Sequence, residues 1–246
     1  LMGEIAAVGA STRPREVEGS YMPCFLVGEG QGRTLAAALG VPFFPCSHQQ
    51  GHIAAAAWSA GREDLLDTPH LAWHLSGGTT ELLYVRPSGH LIEAQLIGGT
   101  QDISAGQLVD RIGVAMGLEF PAGKGMDMLS LQSQKEDAFP VKTKDGHFSL
   151  SGMENKIRGM LEGGVDKPDV ARFTLETIAS VLIRTTKWAR GKYGDLPLLC
   201  SGGVASNTLL RRRLEGLGAV FAPPKYSVDN ALGVAILARR ALERGT

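Results

Sequence analysis

Two histidines, His48 and His52, are spaced to bind one metal ion. The sequence predicts a helix from about residue 50 to residue 60, and side chains at i and i+4 of a helix share one face. The same spacing occurs in the zinc-protease motif His-Glu-x-x-His, but Gln49 stands where that motif has its general base. Spacing alone leaves a second interpretation open, in which backbone and solvent satisfy both histidines.

Two glycine-containing turns that follow predicted strands could bind an anion. The first, residues 76–80, exposes backbone N–H groups and the hydroxyls of Ser76, Thr79 and Thr80, which suits a phosphate or carboxylate. An ordinary glycine hairpin explains this turn equally well. The second, residues 201–203, ends a buried strand and leads to Asn207, which could cap the next helix or read a purine edge.

Three further charged positions have simpler interpretations. Asp110 lies beside Arg111 in a predicted helix, so a surface ion pair is expected. Asp229 precedes the last predicted helix and suits its N-cap. The three arginines at residues 211–213 are typical of a solvated helix face, with phosphate contact as the alternative.

Composition limits the class of protein. The chain has 246 residues, 43% of them hydrophobic, and 25 basic residues balance 25 acidic ones. This length predicts one large or two small domains, and the balanced charge argues against bulk electrostatic binding to nucleic acid or membrane. No apolar run approaches the roughly 20 residues of a membrane span. Three cysteines indicate buried free thiols in a reducing compartment, so a soluble cytoplasmic α/β protein is expected.

The order of predicted elements indicates two related halves. Strands at about 5–10 and 41–46 alternate with helices at 23–39 and 50–60, and three strands at 70–75, 81–86 and 90–97 then form an antiparallel meander. Helices and strands alternate again to the final helix, which begins at about residue 229. The first half resembles the end of a unit like the second. We therefore expect a preceding segment of roughly 70–90 residues, a meander and a helix.

Six motifs occur in an order that resembles one family. They are His-x-x-Gly-His at 48–52, Ser-Gly-Gly-x-Thr at 76–80, Ala-Gly-x-x-x-Asp with Gly-Leu-x-Phe-Pro-x-Gly at 105–123, Phe-Ser-Leu-Ser-Gly at 148–152, Ser-Gly-Gly-Val-x-x-Asn at 201–207 and Val-Asp-Asn at 228–230. This pattern is similar to that of the tRNA threonylcarbamoyladenosine transferases, also called glycoproteases or O-sialoglycoprotein endopeptidases. The resemblance extends from about residue 28 to residue 237.

The resemblance implies an α/β fold and an acyl transfer. The family has two ribonuclease-H-like domains of the actin/sugar-kinase/heat-shock ATPase type, with a nucleotide cleft between them. Residues 1–67 would form the end of an incomplete first domain and residues 68–246 the second, and the last helix, about 229–244, could pack back on the first. The family moves a threonylcarbamoyl group from threonylcarbamoyl-AMP to the exocyclic amine of an adenosine beside a tRNA anticodon.

The resemblance also implies ligands and partners. His48, His52 and Asp229 would hold one divalent metal, iron or zinc, which would anchor phosphate or polarise the reacting carbonyl. Residues assigned to the substrate or to ATP or AMP are Leu75, Ser76, Gly77, Gly78, Asp110, Gly123, Gly203 and Asn207. No side chain is singled out as catalytic. The expected partners are tRNA and either a second copy or a paralogous subunit of the same fold, with no membrane.

Departures from the family pattern keep alternatives open. Gln50 replaces the usual Glu, Thr79 replaces a His, Ala122 replaces a loop Gly, and the first strands with their phosphate loop are not in this sequence. Gln50 and Thr79 favour a catalytically impaired paralogue that acts as a partner or scaffold, whereas the retained histidines and Asp229 argue against it. An ATP-binding phosphotransferase of the same superfamily would need a carboxylate from the preceding segment. An endopeptidase would need Glu at position 49.

Overall fold

The computed structural model describes residues 5–226 and 230–245. Its strands are β1 (Val8–Arg13), β2 (Phe43–Ser47), β3 (His70–Leu75), β4 (Thr80–Ser88), β5 (Leu91–Thr100), β6 (Thr143–Lys144), β7 (His147–Phe148), β8 (Leu198–Ser201) and β9 (Ala219–Phe221). Its helices are α1 (Pro23–Leu39), α2 (His48–Ser59), α3 (Ala105–Ala115), α4 (Gly123–Ser130), α5 (Ser151–Glu162), α6 (Lys167–Tyr193), α7 (Thr208–Glu215) and α8 (Ala231–Glu243). The mixed α/β composition agrees with the predicted fold class.

The chain divides into two compact units. The first unit comprises Leu1–His70, Tyr84–Gln95 and Ala222–Thr246, and the second comprises Leu71–Leu83 and Leu96–Phe221. Helix α8, from the end of the sequence, thus belongs to the same unit as β1, α1, β2 and α2. The predicted domains, 1–67 and 68–246, remain a prediction.

The first unit contains a parallel strand pair. β1 and β2 pair with Val8 opposite Phe43 and Ser11 opposite Cys46. The strand predicted at residues 5–10 begins at Val8 and continues to Arg13, because Arg13 still pairs with Ser47. Helix α1, which joins the two strands as predicted, starts with a proline and ends at Gly40 in the left-handed conformation with φ of 69°.

Helices α2 and α8 of the first unit approach each other through two glycines. A Cβ atom placed on Gly233 would lie 1.7 Å from the carbonyl oxygen of Gly51 and 2.8 Å from the backbone nitrogen of Ala55. No side chain can occupy that space, so this contact needs glycine at position 233. Asp67, at the end of the short helix Glu63–Asp67, pairs with the buried Arg240 of α8 at 2.6 Å.

Strands β3 to β9 form one seven-stranded sheet in the order β6-β7-β5-β4-β3-β8-β9. β8 runs parallel to β3 and to β9, so helices must connect these strands. The β6–β7 hairpin was not expected from the sequence. Its turn residues, Asp145 and Gly146, have φ of 49° and 80°, and Asp-Gly is a strong signal for such turns.

The core of the second unit surrounds β3 and α6. Trp73 is fully buried, and its indole N–H donates to the hydroxyl of Thr186 at 2.9 Å. None of the helices in the described residues is long and apolar enough to cross a lipid bilayer.

The cysteines divide into one exposed and two buried thiols. Cys46 and Cys200 are buried and free as expected, whereas Cys24 is exposed, so its predicted burial was wrong. Cys24 lies in the first turn of α1, and Ala36, near the other end, is the only buried residue of that helix. Burial raises the pKa of the Cys46 thiol to about 12 and raises that of Cys200 as well.

Candidate functional site

His48 and His52 converge on one point at the start of α2. Their Nε2 atoms are 3.1 Å apart, and the rings meet edge-on with centroids 4.5 Å apart. Two nitrogens bound to one tetrahedral ion at about 2.0–2.1 Å would lie roughly 3.3 Å from each other. The pair therefore fits two ligands of a single transition-metal ion.

A capping box determines where α2 begins. Ser47 is the N-cap, and its hydroxyl accepts from the backbone N–H of Gln50 at 3.2 Å. The Gln50 side chain in turn accepts from the backbone N–H of Ser47 at 2.7 Å through Oε1. Its Nε2 donates to the carbonyl of Ile92 at 2.5 Å. Both polar atoms of the Gln50 side chain therefore bind backbone groups.

Asn230, the residue that precedes α8, lies against the same turn. Its side-chain Nδ2 donates to the backbone carbonyl of His48 at 2.6 Å, and its Oδ1 accepts from the hydroxyl of Ser11 at 3.0 Å. The third predicted ligand, Asp229, lies outside the described residues. Within residues 5–226 and 230–245, no three His, Cys, Asp or Glu side chains are grouped to hold a metal ion.

The second unit contains a cavity of about 480 Å³. Its lining residues come from the turn after β3, from α3, α4 and α6, and from the segment between β8 and α7; they are Gly77, Gly106, Val109, Asp110, Pro121, Gly123, Lys124, Asp127, Leu175, Gly203, Val204, Ser206 and Asn207. Gly106, Gly123 and Asn207 stand at the N-terminal ends of three different helices. Helix N-termini carry partial positive charge, so this cavity suits an anion, with Lys124 adding a full charge.

Two carboxylates and an amide of the cavity also anchor its helices. Asp110 accepts from the backbone N–H of Ala122 at 2.8 Å, and Asp127 accepts from the hydroxyl of Thr208 at 2.8 Å. Asn207 accepts from the N–H of Leu210 at 3.0 Å, so the capping interpretation of this residue is confirmed. The expected surface ion pair of Asp110 and Arg111 was wrong, because Arg111 instead pairs with Glu154 at 2.9 Å.

In the glycine turn after β3, two of the backbone N–H groups are already hydrogen-bonded within the turn. The Ser76 hydroxyl accepts from the N–H groups of Gly78 and Thr79 at 3.3 and 3.0 Å. Leu75 is fully buried. Of the predicted substrate residues 75–78, Gly77 is the one that lines the cavity. Five of the eight predicted residues, Gly77, Asp110, Gly123, Gly203 and Asn207, thus come together around it.

The arginines of α7 do not form a uniformly solvated face. Arg213 pairs with the buried Glu176 of α6 at 2.7 Å, and Arg211 lies 4.7 Å from the ring centre of Phe221. The solvated-face interpretation was therefore wrong for these two residues, while Arg212 is exposed. Glu176 was not singled out from the sequence as the partner of Arg213, because nothing in the sequence marks it except its position in a predicted helix.

Solved structures show where else this fold occurs. A crystal structure of HypF from T. kodakarensis matches with a TM-score of 0.72 and 14% identity, covering 98% of this chain and 41% of that one. Full-length HypF in its phosphate- and nucleotide-bound form matches with a TM-score of 0.67 and 16% identity, covering 86% of this chain and 45% of that one. Identities this low establish the fold alone, which is the α/β fold of the actin/sugar-kinase/heat-shock ATPase type.

Sequence comparison gives the family. The sequence model of the family TsaD, tRNA N6-adenosine threonylcarbamoyltransferase, matches residues 4–236. Enzymes of that name from two strains of Thermus thermophilus are 33% identical across 100% of this chain, which spans 77% and 76% of their lengths. One from Streptococcus pneumoniae is 33% identical over 84% of this chain and 63% of its own. The chain belongs to this family of transferases, so the predicted resemblance is confirmed.

Proposed function

We propose that this protein transfers a threonylcarbamoyl group from threonylcarbamoyl-AMP to the exocyclic amine of an adenosine in tRNA. In this reaction the amine nitrogen forms a bond to the carbonyl carbon, the bond from that carbon to the phosphate oxygen breaks, and AMP and a proton leave. The observation that carries the proposal is the cavity bounded by three helix N-termini and Lys124, since it suits the phosphate of an adenylate. Family membership supplies the acceptor, tRNA.

The polar groups of the cavity suit the remainder of an adenylate. Asp110 uses one carboxylate oxygen for Ala122 and retains lone pairs that can accept a ribose hydroxyl. Asn207 uses its Oδ1 for capping, and its amide nitrogen can donate to an adenine ring nitrogen. Gly123 and Gly203 carry no side chain, which leaves room for the ligand along the cavity wall.

The histidine pair supports a metal site with Asp229 as the proposed third ligand. Asn230 is bonded to the His48 carbonyl, so the chain next to Asp229 is held at the start of α2. In this site His48 and His52 would bind through neutral Nε2 atoms. When bound, an iron or zinc ion supplies Lewis acidity toward a phosphoryl or carbonyl oxygen. A homodimer or a dimer with a paralogous subunit is part of the same proposal.

A transfer assay tests the proposal. The protein is incubated with threonylcarbamoyl-AMP and tRNA that lacks the modification, and the nucleosides are analysed by mass spectrometry. We expect modified adenosine from the parent chain, loss of product with the double variant His48→Ala/His52→Ala, and no loss with His147→Ala as the control. AMP binding without product from the parent chain would instead favour the non-catalytic partner.

A further inference from the structure

Two side-chain amides hold the first turn of α2 from two sides. Gln50 is 1% exposed, and its amide oxygen and nitrogen both bind backbone groups, the N–H of Ser47 and the carbonyl of Ile92. The second bond, at 2.5 Å, requires a donor. A carboxylate of the same shape has no hydrogen to give there and would place its oxygen against a carbonyl oxygen.

Asn230 makes the second connection. Its Nδ2 donates to the His48 carbonyl, and its side chain lies next to Gly51, where an added Cβ atom would come within 2.4 Å of Nδ2. Ser11 of β1 fixes the other end of the same amide. The backbone between His48 and His52 is therefore bonded to β5 through Gln50 and to the start of α8 through Asn230.

We propose that Gln50 and Asn230 are positioning residues that fix the spacing of His48 and His52 for one metal ion. The inference rests on the metal site of the proposed function and adds the residues that shape it. A helix start frays easily when its backbone is free, and the two Nε2 atoms would then separate. Fixing the turn before the ion arrives lowers the conformational entropy lost on binding.

This role changes the meaning of the family departure at position 50. The amide nitrogen of Gln50 donates to the carbonyl of Ile92, so on this proposal the amide itself is needed at this position. Restoring the family's glutamate should accordingly weaken the site.

Cobalt binding tests the role directly. Co²⁺ is titrated into the metal-free protein, and its visible absorption reports both affinity and ligand geometry. We expect Gln50→Glu and Asn230→Ala each to bind Co²⁺ about 10- to 100-fold more weakly than the parent, with a shifted spectrum, as is usual when groups behind metal ligands are changed. Gln31→Glu makes the same chemical change on the exposed face of α1 and should bind like the parent.

The outcomes separate the two proposals. Equal affinity and an unchanged spectrum in both variants would overturn the positioning role while the metal site stands. A parent chain that binds no Co²⁺ would overturn the metal site and this inference with it. Circular dichroism checks folding, and if Gln50→Glu does not fold, the half-exposed Asn230→Ala decides the question.

Discussion

The first turn of α2, which carries His48 and His52, and the cavity of the second unit are suited to ligand binding in opposite ways. In the first turn of α2, side chains do the binding, and the amides of the buried Gln50 and the half-exposed Asn230 hold the backbone that carries them. In the cavity, backbone ends of helices form the wall, and side chains such as Asp110 and Asp127 hold those helices in place. Removing side chains should therefore damage the first site, whereas adding them should damage the second.

The largest effect is expected where the first unit has no room for any side chain. Gly233→Ala places a Cβ atom 1.7 Å from the Gly51 carbonyl, so α2 and α8 must separate. We expect a loss of about 3 kcal/mol or more in the free energy of unfolding, measured by chemical denaturation. Gly30→Ala within α1 meets no atom within 4 Å and should stabilise the protein by about 0.5–1 kcal/mol. Similar values for both would contradict the close packing.

An intermediate effect is expected from filling the cavity. Gly203 lines it, and a Cβ atom there has no neighbour within 4 Å, so the first atom of an added side chain meets open space. Gly203→Val should weaken AMP binding by roughly tenfold, about 1.4 kcal/mol, with an unchanged melting temperature. Titration calorimetry measures this, with Gly152→Val, outside the cavity lining, as control. Undiminished AMP binding would show that the adenylate lies elsewhere.

The smallest effect depends on pH and concerns the first unit. The Arg240 guanidinium hydrogen-bonded to Asp67 lowers the pKa of that carboxyl to about 2. Because the folded pKa lies below the ordinary 3.8, the stabilisation is complete above about pH 4 and disappears as the pH falls toward 2. Asp67 is 47% exposed, so screening reduces the gain to about 1 kcal/mol. The melting temperature of Asp67→Asn should therefore be lower than that of the parent at pH 6, and the two should converge near pH 2. The control is Asp195→Asn, at a carboxylate that is 91% exposed, and its melting temperature should match that of the parent throughout.

Periodic elements were predictable because their signals are local. The helix predicted at residues 23–39 is observed at those bounds, with a proline at its start and a glycine directly after it. The i, i+4 spacing likewise predicted that His48 and His52 share a face, and their Nε2 atoms do meet. The Asp-Gly turn of the β6–β7 hairpin was also a local signal, and it was overlooked.

Pairings between distant residues could not be predicted in the same way. The sequence around Asp110 suggested its neighbour Arg111 as partner, but the fold brings Ala122 to the carboxylate and Glu154 to the arginine. Glu176 reaches Arg213, 37 residues away, and nothing near either residue indicates this. The cavity wall is likewise built from chain segments that meet only in the folded second unit, and five of the residues that family resemblance implied line it, while their role in binding stays a prediction.

The exposed position of Cys24 has a practical consequence. Maleimide reagents need an accessible thiol, and Cys24 is exposed, whereas Cys46 is buried and burial raises the pKa of its thiol to about 12. A fluorophore could thus be attached to the first turn of α1 in the unaltered chain. The label would report on the first unit during metal or tRNA titrations, without removing any other cysteine.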